Sequence, residues 1–112
     1  KRQTTKDVLK AAKRLLAKPE NWCRGALART KERRVALPEE ASAVCWDIEG
    51  ALCKCTSQTR LLEAATRKIE LAIAKCPNGD ETGYYACMYN DDKKTKHKDI
   101  LNLLSVAIKS CR

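Results

Sequence analysis

The sequence predicts a mostly α, compact, four-helix bundle-like domain with two long loops at one end and room for a short strand pair; residues 1–112 read as a single helical domain. Three observations lead there. Four stretches repeat apolar residues at the three- and four-residue spacing of a buried helical stripe. Prolines at 19, 38 and 77 mark where these stretches stop or start. The chain also has no Phe, although 44% of its residues are apolar, so Leu, Ala, Ile and Val must fill the core. Such side chains suit helices whose axes approach closely.

Thr4 or Thr5 is placed to cap a first helix that runs to about Lys18, with Asp7 in its first turn near the positive end of the dipole. Val8, Leu9, Ala12, Leu15 and Leu16 form its stripe, and Pro19 ends it. Residues 19–37 have no clear periodicity and read as a long connection, with a short extended piece at Ala26–Ala28. A loop of that length inside a compact domain is uncommon and is usually functional or disordered. Pro38, Glu39 and Glu40 read as the start of a second helix, whose face is Ala41, Val44, Cys45, Ile48, Ala51, Leu52 and Cys55. Gly50 inside that helix costs ~1 kcal/mol relative to Ala, a cost that close approach of another backbone would offset.

A turn at Thr56–Thr59 leads into a third helix carrying Leu61, Leu62, Ala65, Ile69, Ala72 and Ile73 and stopped by Pro77. Pro77–Gly83 reads as a loop, and Tyr84–Tyr89 as a short strand or an irregular packed segment. Thr95 is expected to cap a fourth helix with Ile100, Leu101, Leu103, Leu104, Ala107 and Ile108 inward. In an up-down-up-down arrangement, the first and third connections share one end. That end then gathers Arg24, Arg29, Lys31, Arg33 and Arg34 with Lys93, Lys94, Lys96 and Lys98. It also gathers Trp22, Tyr84, Tyr85 and Tyr89, leaving Trp46 elsewhere.

Charge is segregated. Residues 1–34 carry a net +9, residues 35–92 a net −5 and residues 93–112 a net +5. Segregation of this kind suggests an anionic partner, either nucleic acid or an acidic protein surface. The expected binding residues are Arg24, Arg29, Lys31, Arg33, Arg34, Lys93, Lys94 and Lys96, with Trp22 and Tyr85 as neighbouring aromatics. Lysines crowd the start of the fourth helix, where the dipole disfavours cations but exposed amides favour a phosphate. The plainer reading is a solvated charge run, with aromatics that plug the end of a Phe-free core.

Seven cysteines, an odd number, fit free thiols in a reducing compartment better than a fully paired secreted framework. No apolar run approaches the ~20 residues that span a bilayer, so a cytoplasmic protein with no membrane contact is expected. Cys53 and Cys55 are two apart on a helix and point in opposed directions, which argues against a metal pair. His97 is the sole histidine. A nucleophile formed by it with Cys23 or Cys87 is the weakest of the enzymatic readings. Asn90, Asp91 and Asp92 read as turn-organising residues before they read as a cation site. No cofactor, metal or catalytic residue is expected.

Three pieces in order carry a resemblance: Trp22 to Leu27 (WCRGAL), Ala41 through Gly50-Ala-Leu52 with Cys45 between, and Asn90-Asp91 followed by Ile100 to Leu104 (ILNLL) and Ala107-Ile108. Together, over residues 8–108, they resemble the domain-of-unknown-function family 6197 of bacteria and phages. This chain departs from the family's usual look in its Lys/Arg richness and extra cysteines. The resemblance implies a compact helical domain and brings no activity or catalytic residue. A non-enzymatic binding protein that engages nucleic acid, or a nucleic-acid-bound complex, through the basic loops is the leading expectation. A protein-interaction module or phage-type inhibitor docking on an acidic surface is the alternative.

Overall fold

A computed structural model describes residues 2–76, Gly79 and residues 85–111. Helix α1 spans Thr5–Leu15 and starts on a reciprocal cap. The Asp7 amide donates to the Thr4 hydroxyl at 3.1 Å, and the Thr4 amide donates to the Asp7 carboxylate at 3.0 Å. Val8, Leu9, Ala12 and Leu16 are fully buried, as the stripe predicts. The helix stops three residues short of Lys18. Pro19 opens a 3-10 turn, Pro19–Asn21, and the Asn21 side chain donates to the Leu15 carbonyl at 2.9 Å, satisfying part of the helix end.

The long connection is folded. Strand β1 (Ala28–Thr30) pairs antiparallel with β2 (Val35–Ala36) and with β3 (Ala43–Trp46), in the order β2-β1-β3. A tight turn joins β1 to β2. The Arg33 amide donates to the Thr30 carbonyl at 2.9 Å, and the Thr30 amide to the Arg34 carbonyl at 2.8 Å. Arg33 takes the left-handed conformation at φ 69° that such a turn needs and that glycine or asparagine usually supplies. The extended piece expected at residues 26–28 therefore lies two residues further on, and its partners are local strands.

The second helix is shorter than its periodicity suggests. Pro38–Glu40 do not start it. They form a turn, and β3 follows where the first half of the helix was expected. Helix α2 spans Ile48–Cys55, capped by Asp47, whose carboxylate accepts the Gly50 amide at 2.6 Å. The physical reason is pairing. Ala43, Cys45 and Trp46 bury themselves against β1 and the core, and the Trp46 indole donates to the Pro38 carbonyl at 2.9 Å, which fixes the turn. The expected close approach at Gly50 is present: a Cβ there would sit 1.8 Å from the Leu27 carbonyl oxygen.

Helix α3 spans Thr59–Ile73 with Leu61, Ala65, Ile69, Ala72 and Ile73 buried. The expected 77–83 loop and Tyr84 fall outside the described residues, Gly79 excepted. From Tyr85 onward the segment expected as a short strand or an irregular packed piece is a short helix, α4 (Ala86–Asp91), which turns Ala86, Tyr89 and Asn90 inward. Helix α5 spans His97–Lys109. Its start is two residues past Thr95. The Asp99 carboxylate accepts the Lys96 amide at 2.8 Å, while the Thr95 hydroxyl is buried with no hydrogen-bond partner.

Helix α1 packs on α2, α3 and α5, α3 also packs on α5, and α4 sits against α2 and α3. The chain is thus mostly helical with a small antiparallel sheet added at its side. Its radius of gyration, 12.9 Å, is that of a compact domain of this length. Among the described residues no helix is long and apolar enough to cross a membrane.

Candidate anion-binding surface

The sheet and the segment leading into α5 are joined by a polar clasp centred on Asn90, which is completely buried. Its carbonyl oxygen accepts the Trp22 indole N–H at 2.7 Å and the Ile48 amide at 3.0 Å. Its amide nitrogen donates to the Cys23 carbonyl at 3.1 Å and to the Asp91 carboxylate at 3.0 Å. All the bonding capacity of the side chain is used, which is how a buried carboxamide is tolerated. Asp91 in turn accepts the Gly25 amide at 2.9 Å, and Gly25 provides the φ of 81° that turns its N–H toward it. Asn90 and Asp91 therefore hold the first connection to the last one across 66 to 68 residues of sequence.

The basic residues hang on this frame. The Arg24 guanidinium lies 4.5 Å from the Trp22 ring centroid and donates to the Thr95 carbonyl, so one side chain spans both connections. Arg29 reaches along the sheet. Its Nη1 donates to the Arg33 carbonyl at 3.0 Å, and its Nε and Nη2 lie 3.4 and 3.3 Å from the Arg24 carbonyl. The Arg33 guanidinium folds back on the Cys45 sulfur at 3.7 Å. Arg24, Arg29 and Arg33 thus form one linked row, and each is also engaged structurally. Lys31 and Arg34 project at the hairpin turn, and both are exposed. Lys93, Lys94 and Lys96 are exposed beside Thr95, the residue that Arg24 holds. The Lys94 amide donates to the Asp92 carboxylate at 2.8 Å, so Asp92 organises that turn.

The aromatics divide. Trp22 is half-buried, with its ring centroid 6.2 Å from that of His97. Tyr85 is exposed at the start of α4. Tyr89 is a core residue whose hydroxyl is buried with no hydrogen-bond partner, and desolvation pushes its titration up. Trp46, expected elsewhere, is bridged to Trp22 through the backbone. Sequence reasoning did not find that pair, because the separation of 24 residues hides it and the helical reading of residue 46 pointed elsewhere.

Two further titratable groups sit under this surface. Asp47 is almost fully buried, and desolvation raises its pKa to about 7, opposed in part by the Gly50 amide. Cys23 is pushed up to about 12 by burial and by its contact with Cys45. His97 is held by α1: its Nε2 lies 2.6 Å from the Leu16 carbonyl at the end of that helix. A carbonyl only accepts, so Nε2 carries the proton. Among the described residues no group of three or more His, Cys, Asp or Glu is arranged to hold a metal ion.

A family model described as a family of unknown function, DUF6197, matches residues 1–110. The chain belongs to DUF6197. No curated protein and no solved structure matches it. For this DUF6197 domain, the geometry itself has to carry any functional reading.

Proposed function

We propose that this DUF6197 domain is a non-enzymatic binding protein that takes a polyanion, nucleic acid before others, on the surface running from the hairpin turn to the start of α5. The observation that carries the reading is the linked row Arg24–Arg29–Arg33, flanked by exposed Lys31, Arg34, Lys93 and Lys96. Guanidinium groups held in place lose little freedom when a phosphate binds, and each phosphate neutralised releases counterions. Binding to single- and double-stranded oligonucleotides across a salt series tests it. The log of the affinity should fall linearly with the log of salt concentration. Reversing Lys31, Arg34 and Lys93 to Glu should flatten the slope more than reversing Lys54, Arg60 and Arg67. Equal effects of the two triples, or no oligonucleotide binding at low salt, would refute the reading.

A protein partner is favoured by a separate observation. Leu27, Val35, Leu37 and Val44 are exposed apolar side chains on and beside the sheet, with Val35 72% exposed. Apolar contact area with a basic border suits an acidic protein surface. In that case one protein binds tightly, and oligonucleotides bind hardly at all and do not compete.

A further inference from the structure

Helices α1 and α5 pack side by side, and the end of α1 meets the start of α5 where His97 reaches the Leu16 carbonyl. Along their outer edges runs a groove of about 420 Å³, within the size range of small-molecule sites. Leu101 and Ile108 of α5 supply its apolar floor, half-buried and packed against the core. They stand two helical turns apart, so the floor is roughly 10 Å long. Ala17, just past the end of α1, adds a small apolar side chain to the lining. Lys10, Lys13 and Arg14 of α1 line the same groove, and no Asp or Glu does so among the described residues. Lys13 and Arg14 also complement the negative end of the α1 dipole. Lys10 stands in the middle of the helix, where the dipole offers a cation nothing. None of these six residues belongs to the arginine row or to the lysines that flank it.

We propose that the groove between α1 and α5 binds a small amphiphilic anion, a straight-chain alkyl carboxylate of medium length, with its chain on Leu101 and Ile108 and its head on Arg14 and Lys10. Arg14 and Lys10 are four residues apart and so share one face of the helix. The guanidinium offers paired N–H donors that match a carboxylate, and the ammonium adds a mobile point charge. Lys13 is half-buried, which lays its methylenes along the groove while its charge stays in water. Complementarity selects this occupant over simpler ones. An uncharged apolar ligand leaves three cations unmatched, and an inorganic anion leaves the apolar floor wet. A nucleic-acid strand brings phosphates but no alkyl chain for the floor. Lys10, Arg14 and Ala17 are exposed, so the ligand enters from solvent without opening the core, and its head keeps part of its hydration.

The test is calorimetric titration of the intact chain with hexanoate, octanoate and decanoate below micelle-forming concentrations, with backbone amide NMR shifts to map the site. Affinity should rise roughly two- to fourfold for each CH2 added, as burial of a methylene on an open apolar floor implies. Shifts should concentrate on residues 10–17 and 101–108. Octanol has the same chain without the charge and should bind about tenfold more weakly than octanoate, and the double variant Lys10→Gln, Arg14→Gln should lose octanoate affinity by a similar factor. No saturable binding of decanoate, affinity independent of chain length, or octanol binding as tightly as octanoate overturns the proposal. So do shifts centred on the exposed sheet residues Val35 and Leu37. Binding to phosphatidylglycerol vesicles without binding of decanoate also overturns it, and marks this face of α1 as one that meets a lipid surface. The wild-type series and its shift map decide the matter even if the double variant fails to fold.

Discussion

The Trp22 indole donates to the Asn90 carboxamide at 2.7 Å, and with the Asn90–Cys23 and Gly25–Asp91 bonds it fixes the segment before the sheet to the end of α4. The same oxygen takes the Ile48 amide, so the first turn of α2 is held by the same residue. Three parts of the chain depend on one buried side chain.

Replacing Asn90 with Leu keeps the volume but strands the Trp22 N–H, the Ile48 N–H and the Cys23 carbonyl. Unfolding in urea should show a loss of roughly 3 kcal/mol or more, as expected when several buried polar groups lose their partner at once. Tryptophan emission should shift in the folded state as Trp22 loses its hydrogen bond. A loss below ~1 kcal/mol would mean that water replaces the carboxamide without cost.

Asp47 makes stability depend on pH in an unusual direction. Its folded pKa of about 7 lies above the ordinary value of 3.8, so between these limits the folded chain holds a proton that the unfolded chain has released. Stability from this group is present below about pH 4 and declines as pH rises through 7. Glu49, also raised by burial, acts in the same direction. Asp47→Asn keeps an acceptor for the Gly50 amide and removes the charge. At pH 8 the variant should be the more stable by roughly 1–3 kcal/mol, with the difference shrinking toward pH 4. Denaturant midpoints at the two pH values check this.

Gly50→Ala should destabilise the chain despite the better helix propensity of Ala. The new Cβ would meet the Leu27 carbonyl 1.8 Å away, and that carbonyl also accepts the Asp47 amide at 3.2 Å, so it is not free to retreat. A gain of ~1 kcal/mol in propensity is set against a backbone displacement costing several times as much. Thermal unfolding that matches the wild type would show that Leu27 moves easily.

Arg29→Ala should leave the core intact but loosen the hairpin. The guanidinium ties the Arg24 and Arg33 carbonyls, and its removal costs about 1–2 kcal/mol as charged hydrogen bonds are lost. Amide exchange should accelerate at Thr30, Arg33 and Arg34 and stay unchanged at Ile69 and Leu103. Uniform acceleration would indicate a global loss of stability in its place.

Local chemistry was legible from the residues alone. A cap at Thr4 or Thr5 with Asp7 in the first turn was legible; the structure selects Thr4 and adds the reciprocal bond to Asp7. The stripes of α1, α3 and α5 follow from apolar spacing. The conflict at Gly50 follows from the cost of glycine in a helix. The family, too, was recognisable from three ordered segments. Residues 38–47 misled because Pro-Glu-Glu before an apolar face meets every local criterion for a helix start. Their conformation was decided by β1 and by the Pro38 carbonyl reached by Trp46, neither of which lies within one helical turn. Asn90 reads locally as a turn residue, and nothing nearby announces that its partners are Trp22, Cys23 and Ile48. Periodicity and capping act over about four residues, whereas strand pairing and buried hydrogen bonds join residues tens of positions apart. The sequence by itself therefore determined the stripes of α1, α3 and α5, the cap of the first helix and the segregated charge; only the tertiary structure decided where α2 begins, which arginines are linked and which backbone groups Asn90 holds.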